Sequence, residues 1–165
     1  MLADRWGVDE RDIRRRYGCD ELLPDAPMRV LRGVDVDAPV DVLWRWVRQL
    51  RLAPYSYDWI DNGGRRSPRT LRDLPDPAVG DPYTAFAGRP IGRVEAVDPP
   101  HELTVSLLGA VLTYRLTARP EGGSRLVFVM CARGRRPFID LLSAGDLVMA
   151  RRQLLTLKEL AEETA

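Results

Sequence analysis

Histidine, lysine and cysteine are nearly missing from this chain: its 165 residues hold one His, one Lys and two Cys. His101 therefore has no second imidazole to share a metal or a proton with. Cys19 and Cys131 are far apart in sequence and lack metal-ligand spacing, which argues against a zinc site or a disulfide framework. Charge of one sign is lacking too. The 25 basic and 24 acidic residues leave a net charge of +1, so no general field draws the chain to nucleic acid or to an anionic membrane. No run approaches the roughly 20 apolar residues of a membrane span, and no charged-then-apolar leader opens the chain. A reducing bacterial cytoplasm is the expected location. Internal repeats and low-complexity segments are absent.

What is present reads as one globular domain of ordinary composition, 45% hydrophobic and 30% charged. All its basic residues except Lys158 and His101 are arginines, the bias of a GC-rich genome. Arg14, Arg15 and Arg16 follow Asp9, Glu10 and Asp12 and read as a solvated helix face within residues 3–17. The Gly18-Cys19-Asp20 and Pro24-Asp25-Ala26-Pro27 breaks separate residues 1–27, an arm expected to pack on the domain through Trp6, from a domain over 28–165.

Met28 to Val36 alternates as a half-buried strand, with Arg29, Arg32 and Asp35 among Val30, Val34 and Val36. A helix from Pro39 to about Leu50 puts Val40, Leu43, Trp44, Val47 and Leu50 on one face and Asp41, Arg45, Arg48 and Gln49 opposite. Trp46 widens the apolar arc enough to meet the aromatic segment or a further helix. Strand-like runs follow at 91–97, 102–107, 111–118 and 125–132, with a short one at 83–87. The turn Pro120-Glu121-Gly122-Gly123-Ser124 marks antiparallel neighbours. Residues 137–163 form a terminal helix, interrupted at Gly145, with a stripe of Leu141, Leu142, Val148, Met149, Leu155 and Leu160. A one-faced meander and a single long helix make an α+β fold, a curved antiparallel sheet wrapped around that helix. The gap between them is where a ligand would sit.

Tyr55-Ser56-Tyr57-Asp58-Trp59-Ile60-Asp61-Asn62 is the most unusual stretch, because connecting segments are normally polar. Two readings are open: its rings plug a cavity mouth, or they close the end of the core. Asp58 and Asp61 are either an acid–base pair or caps. His101, just after Pro99-Pro100, is either a general base or a surface residue. Gly63-Gly64-Arg65-Arg66 lacks the spacing of a phosphate loop and reads as a turn. By strand parity, Leu103, Val105 and Leu107, then Leu112, Tyr114 and Leu116, then Leu126, Phe128 and Met130 face inward. Val127, Val129 and Cys131 then face outward as an apolar stripe, which either the arm or a second copy of the chain must cover.

These residues carry a resemblance. Arg5-Trp6-Gly7, Asp20-Glu21-Leu22-Leu23-Pro24-Asp25, Val36-Asp37-Ala38-Pro39 with Trp44, and Tyr55-Ser56-Tyr57-Asp58-Trp59 with Asn62, Gly64 and Ser67 resemble a bacterial branch of the START-like, or SRPBCC, superfamily. Val79-Gly80-Asp81, Asp98-Pro99-Pro100 and Val148-Met149 with Arg151 and Lys158 continue the register. That superfamily includes polyketide cyclases, Bet v 1 proteins and lipid-transfer START domains. The chain departs from the branch at Leu52-Ala53-Pro54, where glycines are common, and at Thr156, which narrows the cavity where a small residue is usual. The resemblance implies a helix-grip fold with an internal cavity, and no particular reaction.

The expected function is binding or carriage of an apolar small molecule, lipid or polyketide-like. Trp44, Tyr55, Tyr57, Trp59, Val105, Leu112, Tyr114, Phe128, Met130 and Met149 are expected to line or close the cavity. The alternative is a cyclase or dehydratase using Tyr, Asp or Arg groups there. No catalytic residue, cofactor or metal is expected. The expected partner is the apolar ligand, with no nucleic acid and no integral membrane segment; for the outer stripe the arm is the favoured cover and a homodimer the alternative.

Overall fold

The computed structural model describes residues 4–133 and 136–165, with side chains described except at Asp61 and residues 136–147. In chain order the elements are β1 (Arg5–Trp6), α1 (Glu10–Arg14), α2 (Gly18–Leu22), β2 (Met28–Val36), α3 (Val40–Val47), a 3-10 turn (Arg48–Arg51), α4 (Asp58–Asp61), β3 (Pro82–Phe86), β4 (Arg89–Asp98), β5 (Glu102–Leu107), β6 (Ala110–Ala118), β7 (Ser124–Ala132) and α5 (Arg136–Thr164). The strands form one sheet in the order β1-β2-β7-β6-β5-β4-β3. Only the β1–β2 pairing is parallel among them. The curved sheet and the C-terminal α5 against its inner face make this a helix-grip fold. No helix among the described residues is long and apolar enough to cross a membrane.

Strand parity holds on β5, β6 and β7. Val105 pairs with Leu112, and Leu112 with Met130, and all three belong to the inner core. From α5 that core receives Ala150, Leu154, Leu157, Leu160 and Ala161. Met149 and Leu155 are half-buried and Val148 is 54% exposed, so the buried stripe differs from the expected one. Leu141 and Leu142 lie outside the described side chains. The helix passes through Gly145 without a break.

Trp46 is 1% exposed, sets its ring edge-on to Tyr55 at 6.2 Å and donates its indole N–H to Thr164 Oγ1 at 3.2 Å. Burying such a side chain contributes about 2–3 kcal/mol, and here it ties α3 to the aromatic segment and to the end of α5. Trp44 is buried as well, its indole N–H reaching Asp76 Oδ1 at 2.7 Å.

Two polar residues are buried, one against the helical period and one in agreement with strand parity but against its charge. Gln49 is 0% exposed, because the chain tightens into the 3-10 turn after Val47 and carries it off the polar helix face. Its amide donates to Tyr55 Oη at 2.7 Å and to the Thr70 carbonyl at 3.0 Å, and accepts from the Arg72 N–H at 2.8 Å. Arg32 is also 0% exposed. It lies opposite Phe128 and so shares the inner face with Val30 and Val34, with its Nη1 donating to the Leu31 carbonyl at 2.9 Å.

The outer face of β2, β6 and β7 carries a second apolar cluster. Leu31, Val111, Val127, Val129 and Cys131 are buried there by Tyr17 and Cys19, with Val8, Leu23 and Ala26 at its margin. The N-terminal segment that covers them is not the helix expected over 3–17. A two-residue strand turns at Gly7, and two five-residue helices follow, α1 with its N-cap at Asp9 and α2 with its N-cap at Tyr17. Gly18 permits close docking of α2, since a Cβ there would come within 2.3 Å of Thr104 Oγ1. Trp6 goes elsewhere: it packs at the edge of the inner core, with the Arg151 guanidinium 5.0 Å from its ring centre. With Val127, Val129 and Cys131 each 3% exposed or less, the bare stripe that called for a second chain does not exist.

Arg29 clamps this segment from the sheet side. Its guanidinium donates to both oxygens of Asp20, at 2.7 and 3.1 Å, and lies 5.7 Å from the centre of the Tyr17 ring. Burial alone would raise the Asp20 carboxyl, but the Arg29 guanidinium and the Tyr17 N–H outweigh it and hold the group below its ordinary value near 3.8. A depressed carboxyl contributes stability above its unfolded pKa and loses that contribution as pH falls through the folded one. Amide exchange over residues 17–22 should therefore accelerate as pH drops below about 4, once corrected for intrinsic rates. Asp20→Asn should abolish that acid-specific change. Tyr17→Ala removes a ring that is 2% exposed and should cost roughly 3 kcal/mol in urea unfolding. A loss under about 1 kcal/mol would mean that the segment is only loosely held.

Candidate functional site

Between α5 and the inner face lies a hollow of about 290 Å³. Its walls are Met149, Ala150 and Gln153 from α5, Tyr83 to Phe86 from β3, Leu112 and Tyr114 from β6, Phe128 from β7, and Pro54 and Ser56 from the segment after α3. Ile91, Leu107 and Leu108 close one end. β6 supplies Leu112 and Tyr114 at alternate positions, as period-two alternation requires, whereas β3, at the sheet edge, borders the hollow with four consecutive residues. Gly92 lets β3 and β4 fit together beside the site. Its φ is +69°, and a Cβ there would stand 2.7 Å from the Ser106 carbonyl oxygen and 3.2 Å from Tyr83.

A polar chain crosses one wall. The Tyr83 and Tyr114 hydroxyls are 2.5 Å apart. Tyr114 donates to Gln153 Oε1 at 2.7 Å, and Gln153 Nε2 donates to the Pro54 carbonyl at 2.6 Å. The phenols are thus held to α5, and α5 to the segment that bears Ser56. The Tyr114 and Phe128 rings are tilted neighbours at 5.3 Å. Two further hydroxyls on the wall, Ser56 Oγ and Thr84 Oγ1, are buried and have no hydrogen-bond partner among the described residues. Such a group costs about 1–3 kcal/mol when left unsatisfied and calls for an explanation. No carboxylate, imidazole, amine or guanidinium stands on the wall among the described residues.

Of the residues expected from the sequence, the structure gathers Leu112, Tyr114, Phe128 and Met149 around this hollow. Val105 and Met130 are buried in the inner core, off its wall. Trp44 is fixed to Asp76 instead. The aromatic segment splits three ways. Tyr55 is 1% exposed, Tyr57 is half-buried, and Trp59 is 75% exposed. Tyr55 adopts φ +55°, and its hydroxyl accepts from Gln49, so its ring closes the core beside Trp46. Burial pushes its phenol up to about 12, which keeps it a neutral hydroxyl.

On the other side of Ser56 a separate cleft of about 270 Å³ is bordered by Tyr55, Asp58, Arg66, Arg152 and Thr156. Thr156, expected to narrow the cavity, lies on this cleft and bonds back to the Arg152 carbonyl at 2.9 Å. Asp58 is committed to Ser67, accepting from its N–H at 2.8 Å and its hydroxyl at 2.5 Å, which makes it a loop clasp. Its suggested partner Asp61 lies outside the described side chains. His101 is exposed in the β4–β5 turn.

Sequence reasoning missed Tyr83, Gln153, Ser56 and Thr84. Tyr83 was readable as part of a short strand, but only the pairing of β3 with β4 at the sheet edge turns it toward α5. Gln153 stands on α5 among apolar neighbours, and a buried glutamine in such a stripe was the available signal.

No family model matches the chain, and no curated protein matches it. Solved structures do. A protein from Mesorhizobium loti aligns with a TM-score of 0.56 at 22% identity, over 83% of this chain and 98% of its own. An AHSA1-like protein from Aeromonas hydrophila aligns at 0.52 and 16% identity, over 83% and 94%. A Mycobacterium smegmatis protein aligns at 0.52 and 17% identity, over 91% and 97%. At these identities the likeness is one of fold: the chain shares its helix-grip architecture with these proteins, and its chemistry has to be argued from its own residues.

Proposed function

We propose that the hollow between α5 and the sheet binds a small, mainly apolar molecule that carries one or two hydrogen-bonding groups. The observation that carries this reading is the pair of buried, unpartnered hydroxyls, Ser56 Oγ and Thr84 Oγ1, on a wall otherwise made mostly of apolar and aromatic side chains. A pocket of that kind, apolar with a few placed polar groups, is the usual form of a small-molecule site. The volume, about 290 Å³, is that of roughly ten waters at about 30 Å³ each, which suits a compact ligand better than a long acyl chain. Leu112, Phe128 and Met149 supply contact area. Tyr114 is held in place by Gln153, and Ser56 and Thr84 offer hydroxyls to the ligand.

The reading is carriage or sensing rather than catalysis. A cyclase or dehydratase needs a base within reach of the proton it removes, and the described wall has phenols and hydroxyls but no such group. The Tyr83–Tyr114 pair favours the enzyme reading to one extent only: two coupled phenols can polarise a carbonyl. Asp and Arg side chains, which that reading also invoked, are not on the described wall.

Ala150 is 6% exposed and faces the hollow, so Ala150→Leu should fill part of it. Binding of an apolar fluorescent probe such as anilinonaphthalene sulfonate should weaken at least about tenfold, with the unfolding midpoint unchanged or raised. Ser56→Ala and Thr84→Val should leave that probe's affinity within about twofold and stabilise the empty protein slightly, because each removes an unpaired buried hydroxyl. Undiminished probe binding by a folded Ala150→Leu protein would remove the hollow as the binding site. Native mass spectrometry of protein purified from its own host would then identify any co-purifying molecule.

A further inference from the structure

Cys19 and Cys131, which the sequence keeps far apart, meet on the outer face of the sheet. They are 0% and 1% exposed and both are free thiols. Their sulfurs and a carboxylate oxygen of Asp20 all lie within 4.8 Å of one another. Cys131 is brought there by β7, where it pairs with Arg29 of β2 on one side and Val111 of β6 on the other. Cys19 is fixed by its own N–H, which donates to Thr113 Oγ1 at 2.9 Å, while Thr113 shares a 2.9 Å hydrogen bond with Thr104. The Cys131 thiol points at Asp20 Oδ1, 3.6 Å away.

We infer that Cys19 and Cys131 form a dithiol modification site, which a small peroxide converts to an intramolecular disulfide joining the N-terminal segment to β7. A disulfide requires the sulfurs to close to about 2.05 Å. From a starting separation within 4.8 Å, side-chain rotation and a small shift of the five-residue α2 cover the remainder. A cleft of about 390 Å³ lined by Arg15, Asp20, Arg29 and Cys131 leads from solvent to Cys131, and Cys19 lies directly behind it, its sulfur within 4.8 Å. Arg29 favours the Cys19 thiolate, the reactive form, while Asp20 and burial oppose it. Within the pair, hydrogen bonding from Cys131 draws the Cys19 thiol below its usual value against the opposing effect of burial, so Cys19 ionises first.

The balance is simple. The Cys19 thiolate attacks one peroxide oxygen, the O–O bond breaks, and the departing oxygen leaves as alkoxide or hydroxide and takes up the thiol's proton. The Cys131 sulfur then attacks the Cys19 sulfenic acid, forming S–S and releasing water. Two thiols lose two electrons and two protons together, and the peroxide is reduced by the same two electrons.

A metal ion is the other occupant such a trio suggests, and the surroundings disfavour it. Asp20 already accepts from Arg29 Nε and Nη2 and from the Tyr17 N–H. A divalent cation would have to displace the Arg29 guanidinium or lie beside it in a buried site. A disulfide adds no charge.

The test uses the full chain, reduced, then exposed to a small excess of hydrogen peroxide. The intact mass should fall by about 2 Da, and a tryptic map should show the Cys19 and Cys131 peptides joined. Amide exchange across residues 8–26 should slow at least about tenfold on oxidation. Cys19→Ser and Cys131→Ser should each abolish the mass loss. Should either variant fail to fold, the wild-type map alone decides, since the chain has only two cysteines. Oxygen addition to separate thiols, cross-linking between chains, or two cysteines still freely alkylated after peroxide would each overturn the inference. So would stoichiometric cadmium binding with a thiolate absorption band that protects the pair from peroxide.

Discussion

β7 is apolar on both faces, and a strand built that way must be covered twice. Leu126, Phe128 and Met130 face α5, while Val127, Val129 and Cys131 face the opposite side. Antiparallel sheets usually leave one face to water; over β2, β7 and β6 this one does not. At about 25 cal/mol per Å², leaving three such side chains bare would cost several kcal/mol, a large fraction of a domain's net stability. The inner cover is the long C-terminal helix. The outer one is a segment with few apolar residues, so it is fastened by polar groups instead: Arg29 to Asp20, Arg125 to Asp12 at 2.6 Å, and the Cys19 N–H to Thr113.

That double cover sets the conditions for the hollow beneath α5. With the outer face sealed, β6 and β7 are held as a rigid floor, and their inward residues keep fixed positions beneath α5. The Tyr83–Tyr114–Gln153 chain then pins α5 at one height above that floor. Such a network is stabilising when fully satisfied and costly when broken. Ser56 and Thr84 stand outside it, their hydroxyls without a hydrogen-bond partner among the described residues.

Much of this was legible from periodicity. The α+β architecture, the order of the antiparallel strands and the inward set Leu112, Tyr114 and Phe128 all follow from alternation and turn chemistry, which are local. The misplacements share a cause. Gln49 is a polar residue buried because Thr70 and Arg72, distant in sequence, satisfy it, and Arg32 is an arginine carried onto the inner face by strand pairing; no local rule anticipates either. Residues 3–17 read as one helix from their charge pattern, yet the chain turns at Gly7 and leaves the helix again after Arg14, so that Tyr17 and Cys19 reach the sheet. The three rings of the aromatic segment look equivalent in sequence. A left-handed turn at Tyr55 separates them, sending Tyr55 inward while Trp59 is left in solvent.

The two sites lie on opposite faces of the same strand, one residue apart. Thr113 Oγ1 receives the Cys19 N–H on the outer face, and Tyr114 Oη donates to Gln153 on the inner one. Neighbouring residues of a strand share one peptide plane and point to opposite sides, so a displacement of β6 moves both groups together. The inner and outer covers of this sheet thus meet on adjacent residues of β6, Thr113 and Tyr114.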